Sequence, residues 1–165
     1  MGDSQLVFDR SAPLAVRQDH NCFGCGGLNA HGLHLRFFQN PDGSVWADWT
    51  PPPMAEGWQG IVHGGIITTV LDEVMGWVLS AHRIWAVTAR LNVSFRKPVE
   101  IDIPVKARAW IVEDHGRRIS VGAAMTRDAD KVVLAEADGM FVRVSSDMAA
   151  AWESRYLDQK EQHEH

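Results

Sequence analysis

The stretch that most constrains this chain is 65–82, where apolar side chains recur with a helical period. At 100° per residue from Ile66, the residues Ile67, Val70, Leu71, Val74, Met75, Trp77, Val78 and Leu79 fall with it in an arc of roughly 220°. A surface helix needs an apolar stripe only about half that wide. A helix over 65–82 is therefore expected to be wrapped on most sides by other structure. Asp72 lies at about 240° on the same wheel, beside Leu79, and Glu73 near 340° on the opposite margin. A carboxylate at the edge of a buried helix is costly unless it is paired or functional.

The wrapping material is legible on both sides of the helix. Two strands, 33–39 and 45–50, are predicted before it, separated by the turn Asn40-Pro41-Asp42-Gly43. Pro51, Pro52 and Pro53 end the second strand, and a loop is expected from there to His63. After the helix the period changes to two. Ala89, Leu91, Val93 and Phe95 alternate with Arg90, Asn92, Ser94 and Arg96 until Pro98. Three further strands, 105–113, 118–126 and 132–144, are divided by turn sequences at 114–117 and 128–131. One buried helix with an antiparallel sheet available to wrap it gives an α+β architecture. The expected division is an irregular lead-in at 1–32 with a short helix near 14–19, a main domain at 33–146, and a short helix with a fraying polar tail at 147–165.

Composition limits the partners. A net charge of −5 with no long basic run argues against nucleic acid. No apolar stretch is expected to reach bilayer-spanning length, so no membrane partner is predicted. Residues 1–9 lack the regions of a secretory signal, and with only two cysteines the expected compartment is the cytoplasm, with reduced thiols. Cys22-Phe23-Gly24-Cys25 has a two-thiol spacing found in zinc and redox sites, but no second pair exists. His20 and His31 are the nearest other candidate ligands. The expected role is a glycine-rich structural turn without metal. His163 and His165 belong to the polar tail and are given no role.

The sharpest chemical feature is Gly60-Ile61-Val62-His63-Gly64-Gly65, running into the helix. The first N–H groups of a helix lack intrahelical partners, and with the positive end of the helix dipole they suit a developing oxyanion. His63 could position a substrate or a water. The same string also fits a junction whose glycines serve tight packing. Trp58 is a candidate for lining a pocket, and Arg96 and Lys97 for holding phosphates, although solvated strand-end charges are the commoner case.

Gly60 to Ile66 followed by Leu71-Asp72 resembles the signature of the hotdog-fold PaaI-like thioesterases, in the 4-hydroxybenzoyl-CoA thioesterase superfamily. The run from Cys22 to Leu33 is similar to the lead-in of a branch that includes the mammalian thioesterase superfamily members, and Thr88 to Pro98 resembles the family's strand after the helix. The resemblance covers roughly 20–145. It implies a hotdog fold and hydrolysis of an acyl-CoA or aryl-CoA thioester, with Asp72 as base or nucleophile and Gly65 N–H as the chief oxyanion donor. It further implies that His63 positions the thioester and Thr88 orients the attacking water. Gly64, Gln59, Trp58, Glu73, Arg96 and Lys97 are the expected substrate-binding residues. No cofactor is implied beyond coenzyme A as part of the substrate. A homodimer, or a dimer of dimers, with sites shared between chains is expected. Some relatives carry an Asn where this chain has Gly57, and Gln59 is the nearest available amide. The alternatives are a hotdog dehydratase acting on acyl thioesters and a non-catalytic acyl-CoA-binding protein. The Gly-Gly after His63 speaks against the first. The second would be expected to carry an output domain, for which 165 residues leave no room.

Overall fold

The computed structural model describes residues 7–157. Its elements, in chain order, are β1 (Phe38–Gln39), β2 (Val45–Trp49), β3 (Glu56–Trp58), β4 (Ile61–Val62), α1 (Gly64–Ala81), β5 (Ala86–Phe95), β6 (Val105–His115), β7 (Arg118–Arg127), β8 (Val133–Arg143) and α2 (Ser146–Tyr156). Six strands form one antiparallel sheet in the order β1-β2-β6-β7-β8-β5, and β3 pairs with β4 in a separate ribbon. The α+β reading of the sequence matches this arrangement.

The sheet curls around α1, whose apolar side chains meet β2, β5, β6, β7 and β8. Val70, Leu71, Val74, Met75 and Val78 are completely buried. By length and composition α1 is apolar enough to cross a bilayer, which corrects the expectation that no stretch reaches that length. Its apolar residues are nevertheless spent on the sheet of its own chain. The wrapping stops where the apolar arc of the helical wheel stops, and the open residues lie at roughly 240° to 300° on it. Gly65 is exposed, and Thr69, Asp72 and Gly76 are only half-buried, so one stripe of the helix stays open along its length.

The hairpins follow from turn chemistry. β6 and β7 meet at His115 and Arg118 across Gly116, whose φ of 74° a glycine adopts without steric cost. Asp114 accepts the Gly116 N–H at 2.9 Å and pairs with Arg143, which holds the Asp114 carboxyl down at about 2. β5 forms the sheet edge and pairs only with β8, leaving Val87 and Phe95 exposed.

Three local expectations are overturned. Residues 14–19 are extended rather than helical: Leu14 N–H donates to Phe37 O, Arg17 N–H to Tyr156 O, and Val16 bridges to Leu157. The predicted strand at 33–39 shortens to β1, because Leu33 and Leu35 donate to Phe23 O and Gly24 O in the lead-in instead of to a strand. The loop before His63 contains a short 3-10 turn at Pro53–Ala55 and the β3–β4 ribbon. The fraying of the tail concerns residues outside those described.

Candidate active site

Three elements converge at the start of α1. The β3–β4 ribbon is tied down by Val62 N–H to Val99 O at 2.8 Å and by His63 N–H to Ala55 O at 2.9 Å. These bonds set His63 as the N-cap, in extended backbone with φ −60° and ψ 130°. Its imidazole Nδ1 accepts the Gly65 N–H at 2.9 Å. The expected oxyanion donor is thus already engaged, a correction that follows from His63 acting as the helix cap. Ile66 N–H and Ile67 N–H both turn to His63 O. Among the described residues no acceptor engages the Gly64 N–H, which makes it the open donor at the positive end of α1.

The Phe95 ring stands over Gly64, with its Cζ 3.4 Å from where a Cβ would project. Ile61, Val62, Gly64, Ile67, Phe95 and Lys97 line a cleft of about 350 Å³ at this helix end. Gly57 packs so closely on His63 that a Cβ there would lie 2.8 Å from the His63 Cα. No side chain fits that position, so an amide cannot be supplied from it.

Asp72 lies two turns further along α1. Thr88, on β5, donates its hydroxyl to Asp72 Oδ1 at 2.7 Å. The structure brings these two expected residues together within one chain. The Thr88 proton goes to the carboxylate itself, which fixes the carboxylate orientation and leaves Oδ2 without that bond. The Thr88 oxygen keeps lone pairs that can accept from a water.

Other expected site residues are placed elsewhere. Glu73 is turned to the lead-in: its carboxylate accepts from Trp77 Nε1 at 3.0 Å and lies 3.4 Å from Cys22 Sγ. This corrects its assignment to substrate binding. Trp58 is 83% exposed on β3 and Gln59 is exposed in the adjoining turn, so neither lines the cleft. Arg96 borders the cleft but is paired with Glu136 at 2.9 Å. Lys97 forms no ion pair among the described residues. Phe95, which shapes the cleft, was read from the sequence only as one member of an alternating strand. Its contact with Gly64 depends on where β5 ends relative to α1.

Residues 59–134 match the Thioesterase superfamily. The hotdog arrangement of one helix wrapped by an antiparallel sheet is the fold of this superfamily. The acyl-coenzyme A thioesterase THEM4 of Mus musculus is 28% identical over 89 residues, 54% of this chain and 38% of that protein. The chain thus spans about two fifths of the length of the curated relatives it matches. The crystal structure of a thioesterase superfamily protein superimposes with a TM-score of 0.69 at 28% identity, covering 72% of this chain and 61% of that one. A Streptococcus mutans UA159 protein bound to acetyl CoA superimposes with a TM-score of 0.63 at 20% identity, covering 67% and 89%.

Proposed function

We propose that this chain hydrolyses an acyl-CoA thioester to a free acid and coenzyme A. The observation that carries the reading is the Asp72 carboxylate, half-buried on α1 and oriented by Thr88. A carboxylate fixed in this way is suited to attack a carbonyl carbon or to take a proton from a water that does so. Either route puts negative charge on the thioester oxygen, and the Gly64 N–H at the dipole end of a helix answers that charge. The coenzyme A thiolate then leaves and takes up a proton. Where Asp72 itself has attacked, a water then hydrolyses the mixed anhydride, releasing the acid and restoring the carboxylate. The curated relatives named as acyl-coenzyme A thioesterases, and the fold relative bound to acetyl CoA, support the same substrate class.

The two groups cannot serve one carbonyl from a single helix. Gly64 and Asp72 are eight residues apart, about 12 Å along the axis, whereas both must come within about 3 Å of the reacting group. A second chain bringing its Asp72 to the first chain's Gly64 resolves the distance. The edge strand β5 offers the means: it is ten residues long, mostly exposed, and open on one side. The active unit is a homodimer joined along β5, with Thr88 and Asp72 beside the joint. Lys97, at the cleft margin and in no ion pair among the described residues, is the residue placed to meet a phosphate. The test is thiol release from a panel of short, long and aromatic acyl-CoA substrates. At least one should turn over well above the uncatalysed rate, and failure of every member would contradict the reading.

A further inference from the structure

The Cys22–Cys25 turn gains a third partner that is not adjacent in sequence. Glu73, 51 positions beyond Cys22, brings its carboxylate from α1 so that Cys22 Sγ, Cys25 Sγ and a Glu73 oxygen all lie within 4.8 Å of one another. The two Glu73 oxygens stand 3.4 and 3.7 Å from Cys22 Sγ. A tetrahedral ion with metal–sulfur bonds of about 2.3 Å and metal–oxygen bonds of about 2.1 Å needs a sulfur–oxygen edge of about 3.6 Å. The observed separations bracket that edge.

The surroundings are built for this approach. A Cβ on Gly24 would sit 2.3 Å from the Glu73 carboxyl carbon, so only glycine lets the carboxylate reach the thiols. The turn is closed by Gly26 N–H to Cys22 O at 2.9 Å. Trp77 Nε1 donates at 3.0 Å to Glu73 Oε1, the oxygen nearer Cys22 Sγ, and so holds the carboxylate in place as an outer hydrogen-bond partner does for a metal-ligating oxygen, with Oε2 left without that bond. Cys25 is 1% exposed and both thiols are free. Among the described residues no Lys, Arg or His pairs with Glu73. Three groups that carry negative charge when ionised are therefore gathered with no cationic side chain to balance them.

We propose that Cys22 Sγ, Cys25 Sγ and the Glu73 carboxylate form a binding site for one divalent cation of the zinc class. The two thiols release their protons to solvent as the ion enters, and water completes the coordination. The ion fastens the lead-in to α1 at the residue following Asp72. The expectation of a metal-free turn rests on the lack of a second cysteine pair, with His20 and His31 as the nearest other candidates; Glu73 is a ligand that spacing along the sequence does not bring to the thiols.

The test is cobalt(II) titration of the full-length, reduced, metal-free protein. The expected result is one cobalt per chain with a thiolate-to-cobalt charge-transfer band, which imidazoles of the C-terminal tail would not produce, and displacement of the cobalt by zinc. Cys22→Ser and Cys25→Ser should lose the band. Because a serine at the buried Cys25 could disturb folding, Glu73→Gln is the decisive variant. It keeps both thiols, and with circular dichroism unchanged it should weaken cobalt binding at least tenfold and shift the visible bands. Absence of the band in the wild-type protein, or a Glu73→Gln variant that binds cobalt as tightly and with the same spectrum, overturns the proposal. So does a protein whose freshly reduced thiols re-form a Cys22–Cys25 disulfide and bind no cobalt.

Discussion

At the scale of single residues, the assignment of roles turns on two adjacent N–H groups. Gly65 donates to the His63 imidazole, while the Gly64 N–H is engaged by no acceptor among the described residues. Proline tests this difference because it removes an N–H without breaking a helix when it occupies the first helical position. Gly64 is that position, and the extended backbone of His63 suits the residue before a proline. Gly64→Pro is expected to melt within a few degrees of the wild type and to lose a factor on the order of 10² to 10³ in kcat, as for deletion of an oxyanion donor. Circular dichroism with steady-state kinetics checks both halves. A folded Gly64→Pro variant with wild-type kcat would return the oxyanion role to Gly65.

At the scale of elements, the long ones were legible and the short ones were not. The apolar period placed α1 to within a residue at each end, because eighteen residues repeat the signal over five turns. The alternation at Ala89 to Phe95 located β5, and Gly116 located the β6–β7 hairpin. The β3–β4 ribbon escaped because strands of three and two residues following a proline run carry almost no periodicity. The span 33–37 read as a strand but spends N–H groups on the lead-in, a choice made by tertiary contact and invisible in local pattern. In the candidate site, the positions of His63 at the start of α1 and of Asp72 two turns along it were legible, because that spacing is local to the helix. The site was not legible where a side chain could turn either way, as for Glu73. The cap at the start of α1 separates structure from chemistry. His63→Ala removes a side-chain cap and should cost about 1 kcal/mol, read as a fall of roughly 2–4 °C in Tm for a chain of this size. His63→Asn restores a capping side chain and should recover Tm, while kcat stays low if the imidazole positions the thioester. Full recovery of activity in His63→Asn would reduce His63 to a cap.

At the scale of the whole molecule, two chains are expected to build each site, because one helix separates the oxyanion donor from the carboxylate by about 12 Å. Light scattering is expected to give a mass of at least twice the 18.4 kDa chain at concentrations where turnover is measured. A fully active monomer would contradict the shared site. The measurement that bears most directly on the function is kcat of Asp72→Asn on the best acyl-CoA substrate, with binding followed separately. Asparagine keeps the size of the side chain and an oxygen for the Thr88 hydroxyl, but it cannot attack a carbonyl or take a proton. The expected result is a loss on the order of 10² to 10⁴ in kcat with substrate binding largely retained. An Asp72→Asn protein that releases thiol at the wild-type rate would contradict the central claim.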